Sequence, residues 1–110
     1  ANLKIRIKQI NTIVGDIRGN TDAVLTSLQD AHADGIDLLV LQELVTCGYP
    51  PADLLERSSF RERIYQANAE IVAATASTST AVLFGTITPN DGPGRMMFNS
   101  AMLAMSGYIH

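Results

Sequence analysis

The chain has no tryptophan, a single cysteine, and aromatic residues at only 5% of its 110 positions. Without aromatic rings to stack bases, a platform for single-stranded nucleic acid is excluded. A net charge of −3 argues equally against a basic face for duplexes. Cys47, alone, cannot close an internal disulfide, which accords with a reducing compartment. No apolar run exceeds five residues, far short of a membrane span. The first residues carry no charged-then-apolar leader, so a cytoplasmic setting is expected. Repeats and low-complexity segments are absent. What is present is a 46% hydrophobic composition, enough to bury the core of one domain over residues 1–110. The expected partner is a small molecule or another protein, with neither nucleic acid nor membrane.

The stretch from Asp37 to Leu55 organises the rest. Residues 38–41 are apolar without interruption, the pattern of a strand buried on both faces in a parallel sheet. The run stops at Gln42 and Glu43, and a turn carrying Gly48, Tyr49, Pro50 and Pro51 follows. Ligands of parallel sheets bind beyond the carboxyl ends of the strands. Glu43 stands at that edge. Either it meets a substrate there, or it leaves the core for solvent where the strand ends.

Around this stretch the chain alternates strand and helix. Residues 3–10 alternate apolar with Lys4, Arg6 and Lys8, predicting a strand with one covered face and one that is wet or meets an acidic neighbour. A loop punctuated by Gly15 and Gly19 matches no phosphate-binding fingerprint and reads as a plain connection. Asn20 or Thr21 is expected to cap a helix running to about Asp34 and stopping at Gly35, with Val24, Leu25, Leu28 and Ala31 facing the core. His32, without a second His or Cys at ligand spacing, reads as a surface residue. Strand, helix and strand in this order predict a right-handed parallel crossover.

The second half repeats the logic and then changes it. Asp53 to Glu56 can form one helical turn. Ser59 and Glu62 make a capping-box pattern for a helix reaching about Ser77, with Phe60, Ile64, Ala67, Ile71 and Ala74 inward. Residues 81–87 predict a third strand and residues 89–94 a hairpin tip. A fourth strand over 96–105 is expected to break at Asn99 and Ser100, and Gly107 marks a turn into another strand. The four methionines read as adaptable core filling rather than a metal site.

Four local features together resemble a known family. They are Val14, Gly15, Asp16 and Ile17 with Gly19 and Asn20 after the first strand; Glu43 and Leu44 closing the second; the run Gly48, Tyr49, Pro50, Pro51, Ala52, Asp53, Leu54 and Leu55; and Phe98, Asn99, Ser100 and Ala101. The order resembles the carbon–nitrogen hydrolase (nitrilase) superfamily and, within it, the N-terminal glutaminase domain of glutamine-dependent NAD synthetase. The resemblance implies an α/β fold, of which this chain is the N-terminal half of a four-layer α-β-β-α sandwich.

It also implies a Glu-Lys-Cys triad. The cysteine attacks an amide or nitrile carbon, the glutamate is its general base, and the lysine stabilises the tetrahedral oxyanion. A thiol at neutral pH needs such a base. Glu43 matches the catalytic glutamate, and Tyr49 an aromatic lining the glutamine pocket or, on its bland reading, packing the loop. Asn99 is expected to bond neighbouring backbone. The lysine would fall just beyond His110 and the nucleophile later still. Cys47 occupies a variable position between Thr46 and Gly48 and is read as a buried small residue. Gln42 replaces the proline that usually precedes the glutamate. No metal and no cofactor are implied for this chain; ATP, Mg and deamido-NAD are implied for a separate synthetase domain. Partners implied are glutamine, the rest of the same domain and a second copy in a homo-oligomer. The chain alone is expected to be inactive and to expose an apolar sheet face. Two competing readings are a stand-alone amidase or nitrilase of the same superfamily and a non-catalytic α/β interaction module.

Overall fold

Asp16 starts the first helix by accepting a hydrogen bond from the Gly19 N–H at 3.0 Å. The computed structural model describes residues 2–48, 52–89 and 97–110. Helix α1 runs Ile17–Ala33, one turn earlier than Asn20 or Thr21 would have started it. Asp16 wins because its carboxylate can satisfy an orphan amide of the first turn. Asn20 and Thr21 are then carried inward and buried. The helix ends as expected at Gly35, whose φ is +72°. The Ile36 and Gly35 N–H groups donate back to the carbonyls of Ala31 and His32, satisfying carbonyls that the helix end would otherwise leave open.

The strands are β1 Ile5–Ile7, β2 Leu38–Val40, β3 Ala81–Pro89, β4 Met97–Met105 and β5 Tyr108–Ile109, in that order across one sheet. The pairs β1–β2 and β2–β3 are parallel, as the alternation of strand and helix predicts. The pairs β3–β4 and β4–β5 are antiparallel. Pro89, expected to open the hairpin tip, is the last residue of β3; the rest of that expected tip and Met96 lie outside the described residues. Strand β4 runs unbroken through Asn99 and Ser100, contrary to expectation. Ser100 shares a hydroxyl hydrogen bond of 2.9 Å with Thr88 on β3, so the polar pair is accommodated across the ladder.

Helix α2 runs Ser58–Ala74 and continues into a 3₁₀ turn at Thr75–Ser77. The capping box does not form: Arg57 holds the cap position without a side-chain bond. The chain enters α2 directly from a 3₁₀ turn over Ala52–Glu56, and Arg61 donates to the Leu55 carbonyl at 2.7 Å. That turn is the one expected for Asp53 to Glu56. Arg18 on α1 bonds both Asp22 and Glu70, tying α1 to α2.

Both helices cover one side of the sheet. Arg6, Leu39, Val82 and Ala104 stand in one register row. Leu39, Val82 and Ala104 pack with Val24, Leu28 and Ile71 in the main core. The neighbouring row, Ile7, Val40, Leu83 and Leu103, points the other way. The sequence reading of β1 and β2 is therefore corrected. Ile5 and Ile7 are 52% and 82% exposed, and Leu38 and Val40 are only half-buried. The basic side of β1 is the helix side, where Arg6 pairs with Asp34 at 2.7 Å. The apolar side faces away from both helices, and nothing within the described residues covers it. Among the described residues no helix is long and apolar enough to cross a membrane.

Candidate active site

Beyond β2 the chain leaves the sheet at Gln42, whose side chain extends the pairing by one more step. Its Oε1 accepts from the Ile10 N–H at 2.9 Å and its Nε2 donates to the Ile10 carbonyl. A proline could make neither bond. The carboxamide thus stands in for a strand neighbour and holds the segment after β1 against the segment after β2.

Glu43 follows, and its backbone crosses directly over β3 at Gly85. A Cβ on Gly85 would lie 2.5 Å from the Glu43 Cα and 2.9 Å from the Leu44 nitrogen. Only glycine permits this approach. The Gly85 N–H donates to the Gln42 carbonyl at 3.1 Å, and the Val45 N–H donates to the Gly85 carbonyl at 3.0 Å. Between those two bonds Leu44 turns the chain with φ +50°, a left-handed conformation uncommon for a branched residue. Its side chain is buried with Cys47, Ile87 and Phe60, which offsets the strain.

The Glu43 side chain is exposed, and Asn99 on β4 donates from Nδ2 to its Oε1 at 2.6 Å. A charge-assisted bond of this kind is stronger than a neutral one. Asn99 was expected to bond backbone; it reaches a carboxylate instead, because β4 places it beyond Gly85 on the uncovered side of the sheet. Glu43 borders two clefts. One, of about 580 Å³, lies against Gln9, Ile10, Asn11 and Thr12. The other, of about 380 Å³, lies against Leu83, Gly85, Asn99 and Ala101 on the open side.

The loop carrying Glu43 is anchored from beneath by buried polar groups that sequence reasoning missed. Asn20 accepts from the Ile13 N–H at 2.9 Å and donates to the carbonyls of Ile13 and Thr46 at 2.8 and 3.1 Å. The Thr46 hydroxyl lies 3.2 Å from that of Thr86, which donates to Asn68 Oδ1 at 2.8 Å; Asn68 Nδ2 donates to the Ile87 carbonyl at 3.1 Å. Gly48, at φ +79°, brings its backbone against Val14, where a Cβ would lie 2.9 Å away. The sequence signal for this network was polar residues at inward helix positions: Asn20 on α1 and Asn68 on α2.

Tyr49 lies outside the described residues. Cys47 is fully buried in the smaller core cluster, as the sequence reading had it, and burial pushes its thiol up to about 11. Among the described residues no cluster of three or more His, Cys, Asp or Glu is placed to hold a metal. The arrangement as it stands can present one carboxylate, fixed at one oxygen, to a cleft at the carboxyl edge of the parallel strands.

No family model matches the chain. Individual proteins do. A glutamine-dependent NAD(+) synthetase from Synechocystis sp. is 38% identical over 109 residues, taking in 96% of this chain and 19% of the relative. A solved glutamine-dependent NAD(+) synthetase from Cytophaga hutchinsonii superposes with a TM-score of 0.87 over 99% of this chain and 18% of its own, at 23% identity. An amidase from Nesterenkonia sp. superposes with a TM-score of 0.85 over 98% of this chain and 40% of its own, also at 23% identity. The chain thus spans about a fifth of the length of the curated relatives it matches.

Proposed function

This chain is a homologue of the N-terminal region of glutamine-dependent NAD(+) synthetases, and we propose that it supplies the general base of a glutamine-hydrolysing domain. The observation that carries this reading is Glu43 at the carboxyl edge of the parallel strands, with one carboxylate oxygen held by Asn99 and the residue bordering two open clefts.

In this reading Glu43 takes the proton of a cysteine thiol supplied by the rest of the domain. The thiolate attacks the side-chain carboxamide carbon of glutamine, and a lysine, also from beyond His110, stabilises the oxyanion. The carbon–nitrogen bond breaks, ammonia leaves with the returned proton, and the thioester is hydrolysed to glutamate. The ammonia then amidates deamido-NAD in a synthetase domain that uses ATP and Mg. Tyr49 lines the glutamine pocket; that assignment comes from the resemblance of its motif alone. The complete protein works in the cytoplasm as a homo-oligomer.

The uncovered face formed by Ile7, Val40, Leu83 and Leu103 supports the further reading that this chain is the first part of a four-layer sandwich. A stand-alone amidase is the second reading, since the fold is shared almost as closely with the Nesterenkonia enzyme, at a TM-score of 0.85. The test is ammonia release from glutamine by the complete protein, with and without Glu43→Gln, alongside ATP-dependent formation of NAD. Loss of both activities on substitution supports the proposal. Amide hydrolysis without any NAD formation moves the protein to the amidase reading, and hydrolysis unaffected by Glu43→Gln removes Glu43 from the chemistry.

A further inference from the structure

Glu43 sits on a loop, and a loop carboxylate that is exposed has no packing to fix its rotamer. A general base must hold one oxygen within hydrogen-bond reach of the proton it removes. Among the described contacts, the one that restrains the Glu43 carboxylate comes from β4, a nine-residue strand paired along its length with β3. Asn99 stands opposite Ile87 in that pairing, two residues beyond Gly85, and its amide meets Oε1 at 2.6 Å. Gly85 fixes the Glu43 backbone from below, and Asn99 fixes the tip of its side chain. A base needs a single free oxygen, so a donor on the other oxygen restrains the group without blocking it.

We propose that Asn99 is a positioning residue for the base. Its amide on the rigid β3–β4 ladder holds the Glu43 carboxylate in the orientation from which it deprotonates the nucleophile. The inference rests on the proposed role of Glu43 and adds a residue through which that role is exercised. It separates rate from affinity, because Asn99 acts on the base rather than on the substrate.

The experiment is steady-state glutamine hydrolysis by the complete protein for wild type, Asn99→Ala, Asn99→Asp, Asn99→Gln and Glu43→Gln, with the thermal midpoint of each. Asn99→Asp keeps the shape but replaces the donor by a like charge. Asn99→Gln keeps the donor on a longer arm. A hydrogen bond to a charged group is worth enough that its loss is expected to lower kcat about 10- to 100-fold, with KM changed by less than about threefold. Asn99→Asp should lose at least as much as Asn99→Ala, and Asn99→Gln should recover part of kcat, all at near-wild-type midpoints.

If Glu43→Gln abolishes hydrolysis while Asn99→Ala keeps kcat within about twofold, the positioning role is overturned and the reading of Glu43 stands. A loss of kcat that tracks a falling midpoint, with no recovery in Asn99→Gln, also overturns it and leaves Asn99 structural. If Glu43→Gln itself hydrolyses glutamine normally, the reading of Glu43 falls and this inference falls with it.

Discussion

Gly85 lies directly beneath Glu43: a Cβ at residue 85 would stand 2.5 Å from the Glu43 Cα. The contact is backbone to backbone, so no side chain can swing aside to relieve it. Two adjoining hydrogen bonds, from Gly85 N–H to Gln42 and from Val45 N–H to Gly85, hold the crossing in place. Gly85→Ala is therefore expected to push Glu43 outward and to cost about 1–3 kcal/mol by overpacking. On the proposed role of Glu43, glutamine hydrolysis by the complete protein should fall as well. A fully active Gly85→Ala protein would show that the crossing tolerates displacement.

Asn20 ties the loop before α1 to the loop after Glu43 through three hydrogen bonds. Asn20→Ala leaves the Thr46 carbonyl without this partner in a buried setting, and removes the Asn20 bonds of the half-buried Ile13 N–H and carbonyl. The expected cost is about 1–3 kcal/mol, set by the buried Thr46 carbonyl. Urea unfolding checks it: the midpoint should drop with an unchanged m-value.

Cys47 titrates in the alkaline range. Burial pushes its thiol from the usual 9.0 up to about 11, so the folded state holds the proton more tightly than the unfolded chain. That contribution to stability is fully present below pH 9 and is lost as pH rises through about 11. Comparing the pH dependence of unfolding for wild type and Cys47→Ala isolates it: the difference should open between those two values. A thiol reagent at neutral pH is expected to spare Cys47 until denaturant is added. Rapid labelling of the native protein would contradict the burial.

The sheet side bearing Ile5, Ile7, Leu38 and Val40 is apolar and open. Isolated as a 110-residue chain, the protein is expected to self-associate through this side and to release no ammonia from glutamine. Sedimentation at several concentrations measures the first, and Ile7→Lys with Val40→Lys should shift the distribution toward monomer. A monodisperse wild-type monomer would show that this face is stable in water.

Much of the architecture was already legible in the sequence. Gly35 ends α1 because a left-handed residue there lets the last carbonyls be satisfied. The order of strand and helix determined the parallel first half of the sheet. Glu43 was readable because an unbroken apolar run ends beside it. These features are local, and local backbone preference and burial period decide them.

Tertiary structure decided the rest. Which side of β1 is covered depends on where both crossover helices land, and period-two alternation cannot say which of two faces meets them. Asp16 takes the cap through the Gly19 N–H, and the helix started there carries Asn20 inward to bond Thr46, a partner 26 positions away that no local pattern reveals. Asn99 reads in sequence as a polar interruption of a strand. It meets Glu43 only because β3 carries a glycine where the two chains cross and β4 pairs with β3 in one particular register. A contact between residues 56 positions apart is set by register and close backbone approach, and neither is written in any single stretch of the chain.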